Sequence, residues 1–239
     1  MASNDQRRVG DMKQSIVDGI VAARVQSKTL SNPSQTRQYL QQYVKNVPVE
    51  DLQGRSEAIM ARVALEHLEF GAVRRRGQAL LRIFNPTEKE HGYVSAFTFV
   101  EMVNDDMAFL VDSVSAAINR HNLAVHITVH PIISVTRNSK GRLTSIAKPG
   151  DKGAKSESYI RFGIERETDP VQLNILQHEI NKVLRDVRVA VRDWQKMRKR
   201  MLETRDLLEN GPKNVDPLLR SESKALLTWL EDEIGRAHV

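Results

Sequence analysis

Apolar positions recur at steps of three and four through the first third of the chain and then switch to alternation. Ile16, Ile20 and Val21 predict a helix over 12–25, which Ser31, Asn32, Pro33 and Ser34 interrupt. Leu40 and Val44 mark a second helix over about 35–44, stopped by Pro48. Glu50 and Asp51 then stand where a helix dipole favours acids and open a third helix. Its apolar face is Leu52, Ile59, Met60, Val63, Ala64 and Leu68, and it ends at Phe70 and Gly71.

After Arg74, Arg75 and Arg76 the period changes. Residues 79–84 form a short apolar run closed by Asn85-Pro86, and 96–103 are rich in β-branched and aromatic side chains. Both read as strands, paired as an antiparallel hairpin across a polar turn at 87–92. Asn104, Asp105 and Asp106 punctuate the chain, and either aspartate is placed to cap the next helix. That helix carries Leu110, Val114, Ala117 and Ile118 on one face and ends near Asn122, a residue suited to left-handed backbone. Residues 123–135 alternate as a strand, 137–157 read as a polar turn or mobile loop, and 158–166 alternate again. Asp169-Pro170 opens a long helix whose apolar stripe runs from Leu173 to Met201, Asn210-Gly211-Pro212 stops it, and a last helix covers 216–234.

The order strand, helix, strand, strand, helix is a ferredoxin-like unit without its last strand. The upstream run 79–84 can fill that edge by pairing antiparallel to 97–103. The expected fold is therefore α+β: N-terminal helices, then a permuted ACT-like antiparallel sheet of about four strands with helices on one face, and a long C-terminal helix. The segments are 1–70 (helical), 71–210 (ACT-like, long helix included) and 211–239 (linker and helix).

Charge and composition restrict the chemistry. The chain has 239 residues, none of them cysteine, which excludes a disulfide scaffold, cysteine-ligated zinc and a thiol nucleophile. No apolar run reaches the ~18 residues of a membrane span. Residues 1–10 lack the apolar core of a secretion signal, so a cytoplasmic protein is expected. The formal charge of +6 invites a nucleic-acid reading. Yet the basic clusters, 74–76 and Lys196 with 198–200, are short, aromatics are few, and solvated faces explain them better.

No glycine spacing fits a dinucleotide or Walker loop, and Ser113 lacks the glycines of a nucleophile elbow. His126 and His130 share a strand face but stand roughly 13 Å apart, too far to chelate one ion. Asp105, Asp106 and Asp112 read as capping and local bonding rather than acid–base or metal chemistry. The expected catalytic, cofactor and metal sites in this chain are therefore none.

A family resemblance adds what periodicity cannot. Arg82-Ile83-Phe84-Asn85-Pro86, His91-Gly92-Tyr93, the run from Val100 through Glu101 to Val114, Val125-His126, Val129-His130-Pro131, Asp169-Pro170 and Asp193-Trp194 resemble the N-terminal region of the large bacterial NAD-specific glutamate dehydrogenases. The resemblance covers about 39–230. It implies a parent enzyme that oxidatively deaminates L-glutamate with NAD, whose dehydrogenase part lies beyond this sequence, so that Gly235 to Val239 reads as a truncation. It also implies an oligomeric protein, partnered by other domains of the same polypeptide, with an ACT-type regulatory region. Amino-acid-binding ACT domains carry a glycine in the loop after the first core strand, where a ligand approaches the backbone. Here the candidate ligand or interface loop is Asn104, Asp105, Asp106, Met107 and Ala108, bulkier and acidic. That favours a structural role over an amino-acid effector site.

Overall fold

The computed structural model describes residues 15, 18–20, 22, 27–45, 47–48, 56–209 and 215–236. Most of the helix expected over 12–25, and the start expected at Glu50 and Asp51, lie outside these residues. The chain falls into two compact units, Met1–Arg185 and Asp186–Val239.

In the first unit, α1 (Pro33–Val44) begins with Asn32, whose side chain accepts the Ser34 N–H, and with proline at the position that needs no donor. Helix α2 (Glu57–Phe70) closes on Gly71. Strand β1 (Leu80–Phe84) leads into a one-turn helix, α3 (Glu88–His91), where the sequence suggested only a turn; Thr87 caps it and Gly92 ends it in left-handed backbone. Then follow β2 (Thr98–Asp105), α4 (Leu110–Arg120), β3 (Val125–Val129), β4 (Ile132–Arg137), β5 (Leu143–Ile146) and β6 (Lys155–Ile164). Asn122 takes the left-handed conformation expected of it.

The sheet runs β1-β2-β6-β4-β5, with β3 also on β6, and every pairing is antiparallel. The upstream strand β1 fills the edge beside β2 as expected, with Leu80 opposite Val103 and Phe84 opposite Phe99. The stretch expected as one strand over 123–135 is two. Val125–Val129 lies along the end of β6 near Ile164, and Ile132–Val135 along its beginning. Pro131 sits at the break, where it has no N–H to give the ladder; its carbonyl still accepts from Tyr159. The loop expected over 137–157 contains β5, because Leu143 and Ile146 inside that polar stretch are buried beneath α1 and α2.

Strand β6 is central, and Glu157–Ile164 are buried on both faces. Gly163 makes this closeness possible: a Cβ there would stand 3.1–3.2 Å from Ile127 and Phe99. One face carries Val100, Met102, Ile160, Phe162 and Ile164, all buried, as are Leu110, Val114 and Ile118 of α4 and Leu176, Ile180 and Leu184 of the following helix α5 (Pro170–Glu209). Arg120 and His121 bind Glu179 and tie these two helices together. The other face is covered by α1 and α2 and is partly polar. There Glu101, fully buried, is bound by Arg161 of β6 and Arg82 of β1. Arg161 also donates to the Tyr93 hydroxyl and lies 3.6 Å over the Phe99 ring. Burial opposes ionisation of Glu101, but His67, Arg161 and Arg82 outweigh it and hold its carboxyl below the usual range.

The second unit holds the C-terminal part of α5 and helix α6 (Pro217–Arg236), joined by Glu231, which accepts from Arg198 and Arg205. Among the described residues, seven of the fourteen exposed large apolar side chains lie here, in less than a quarter of the chain.

His67 of α2 gives a pH test. Its Nε2 bonds the Met102 carbonyl, which can only accept, so Nε2 carries the proton and Nδ1 accepts the Tyr43 hydroxyl at 3.1 Å. Burial pushes its pKa down to about 4. Between the unfolded value near 6.5 and that value the unfolded chain binds the extra proton. The stabilising contribution is thus complete above about pH 6.5 and lost on acidification, by up to about 3 kcal/mol. Urea unfolding from pH 7 to 4 is expected to show a steeper loss in the wild type than in His67→Gln, by roughly one proton. Equal slopes would contradict this.

Candidate functional site

The residues Asn104, Asp105, Asp106, Met107 and Ala108 do not form one loop. Strand β2 continues through Asp105, because Asn104 pairs with Ser158 and Asp105 with Glu157 across to β6. Asn104 is buried, Asp105 and Met107 are half-buried, and Asp106 and Ala108 are exposed. Nor do the aspartates cap α4: the residue preceding that helix is Phe109, in left-handed backbone at φ 67°, and no side chain caps it.

Each aspartate has another task. Asp105 accepts from Arg74 at 2.7 Å and from the Gly77 N–H at 2.9 Å. Asp106 donates its N–H to the Ser156 carbonyl and accepts the Ser158 hydroxyl at 2.7 Å. His130 Nε2 lies 3.0 Å from that same hydroxyl oxygen. Since Ser158 gives its one proton to Asp106, His130 donates from Nε2. Burial lowers the His130 pKa, against the opposing pull of Asp106. The chain of contacts runs Asp–Ser–His, with histidine as a terminal donor. It cannot take the serine proton, and Ser158 is fully buried. His126 is engaged elsewhere, with its ring 5.1 Å from that of Phe97.

The basic cluster is not a uniformly solvated face. Arg74 is buried, in the bend between α2 and β1, and donates to Asp105, to Glu157 at 2.6 Å and to the Gln78 carbonyl. Glu157, itself buried, also receives two bonds of 2.7 Å from Arg137. Arg137 reaches the Gly71 and Gly141 carbonyls as well. Gly141, at φ 80°, allows the 138–141 turn to approach: a Cβ there would stand 2.7 Å from the Arg74 carbonyl oxygen. This ion network floors a cleft of about 650 Å³ with Arg75, Arg76 and Lys155 on its rim. A smaller, mostly apolar cavity of about 270 Å³ lies between the helices and the sheet, where Tyr43, Met60, Phe99 and Arg161 line it.

The sequence assigns Arg74, Arg137, Glu157 and Ser158 no role in a site. The signal available was the alternation of β6 itself, which begins three residues before the expected 158 and places Glu157 opposite Asp105. The arrangement pairs charges and fixes strands. Asp105 already has both oxygens occupied.

Comparison with known proteins places the fold. The family described as "Glutamate dehydrogenase, ACT1 domain" matches residues 39–180, more than half of the chain. The NAD-specific glutamate dehydrogenase of Halomonas elongata is 35% identical over 153 residues, 63% of this chain and 10% of that protein. The enzyme of the same name from Pseudomonas aeruginosa is 33% identical over 159 residues, 66% of this chain and again 10% of the relative. The matched region thus spans about a tenth of each relative's length.

Glu157→Gln removes the charge that the buried Arg74 and the half-buried Arg137 share. Breaking a buried pair from one side is expected to cost about 3 kcal/mol in urea unfolding, with an unchanged dependence on denaturant. A loss below about 0.5 kcal/mol would mean the network does not hold β6 to the Arg74 bend.

Proposed function

The chain belongs to the glutamate dehydrogenase ACT1 domain family, and from that premise we propose that it is the non-catalytic assembly and control domain of an NAD-dependent glutamate dehydrogenase. The parent enzyme would be cytoplasmic, would deaminate L-glutamate oxidatively to 2-oxoglutarate and ammonia, and would bind NAD in another part of the polypeptide. No helix among the described residues is long and apolar enough to cross a membrane.

One observation carries the assembly reading. In the second unit Met197, Leu207, Leu218, Leu219, Leu226 and Trp229 are each 55–70% exposed. Leu219, Leu226 and Trp229 follow at steps of seven and three along α6, which puts them on one side of the helix. Such a concentration on a helical pair marks a surface to be covered, by other domains of the polypeptide or by a second copy. In sedimentation velocity the isolated chain is expected to self-associate with rising concentration and to reduce no NAD with glutamate. A strict monomer at every concentration whose removal leaves the assembly and control of the full-length enzyme unchanged, or measurable turnover of the isolated chain, would contradict the proposal.

The second reading is an amino-acid effector at the turn after β2. Asp106 favours it, because this exposed carboxylate sits beside the helix start. The occupied oxygens of Asp105 weigh against it, as does the bulk of Met107. Calorimetric titration with each of the twenty amino acids is expected to give no heat at millimolar concentration. A saturable response abolished by Asp106→Asn would make the turn a sensor.

A further inference from the structure

We infer that the cleft floored by Arg74 and Arg137 is a binding site for a compact polyphosphate group. Its floor is neutral, since Asp105 and Glu157 offset the guanidiniums of Arg74 and Arg137. The rim is not. Arg75, Arg76 and Lys155 line the cleft, are exposed, and carry no carboxylate partner among the described residues; only Asp106 opposes them. The buried floor therefore stops the cleft's own acids from neutralising the rim, and three cations face one space of about 650 Å³.

The remaining lining suits phosphate rather than a carboxylate. Ser139 and Ser156 bring hydroxyls to the cleft, and Gly153 lies there at φ 85° with open space where a Cβ would stand. A bare left-handed glycine lets an anion reach the backbone N–H groups. Planar arginine forks and a lysine point charge bind tetrahedral oxyanions well, and a polyphosphate is long enough to meet more than one of them. Nothing in this inference depends on the assembly role of the second unit.

The test is calorimetric titration of the chain with inorganic pyrophosphate at low ionic strength. Saturable binding is expected, with orthophosphate and succinate each roughly tenfold weaker and affinity falling steeply with salt. Arg75→Ala/Arg76→Ala/Lys155→Ala, at exposed positions, should weaken binding roughly tenfold or more while leaving the urea midpoint unchanged. Lys199→Ala/Arg200→Ala, which removes two exposed cations from the second unit, should leave it within about twofold. Absence of heat with the wild-type chain would overturn the site. So would undiminished binding by the triple variant, equal weakening in the Lys199/Arg200 variant, or equal affinity for succinate. None of these outcomes alters the expected sedimentation, so the failure of either proposal is separable from the other.

Discussion

Everything in the first unit is organised around one buried carboxylate. Glu101 stands in the middle of β2 with no access to solvent, between an arginine of β1 and an arginine of β6. An ion in that position is costly unless every lone pair is used. Its partners are therefore immobilised in turn: Arg161 stacks on Phe99 and bonds Tyr93, and Arg82 lies over Phe70 and Phe84. The result pins the register of three strands at once. Arg82, Glu101 and Arg161 occupy one row across the sheet, and a slip of any strand by one residue would put a charge among the apolar side chains of the opposite face.

The same face repeats the device four residues further along β2. There Asp105 and Glu157 meet Arg74 and Arg137, which anchor the bend after α2 and the turn after β4. Tyr43 and His67 complete the polar seam beneath the N-terminal helices. A sheet with one apolar and one ion-paired face specifies how each helical layer docks. The acids near the turn after β2 are accordingly committed to structural contacts.

Much of this was legible in the chain. Alternation and the run Val100 to Val114 gave β2, α4 and the family, and the apolar run before Asn85-Pro86 gave the strand that permutes the sheet. Three things were not. A four-residue strand with two apolar positions, β5, does not rise above a polar loop rich in Gly, Lys and Ser. Pro131 divides one alternating stretch in two without changing its alternation. Most of all, arginine clusters look solvated in a sequence, since burial of Arg74 depends on Glu157, 83 residues away. The candidate turn at 104–108 was misplaced for the same reason: Asn and Asp read as punctuation, whereas a partner strand with the right residues carries the ladder straight through them.

The first unit is an ordered sheet, and the second concentrates exposed apolar side chains on α5 and α6. On the proposed function, this second-unit surface is covered in the parent enzyme and its coverage governs assembly. The most direct measurement is sedimentation velocity and glutamate turnover of the full-length enzyme carrying Leu218→Ser, Leu226→Ser and Trp229→Ser. A smaller assembly with altered dependence of rate on glutamate is expected, while NAD still binds. Unchanged sedimentation and unchanged kinetics would contradict it.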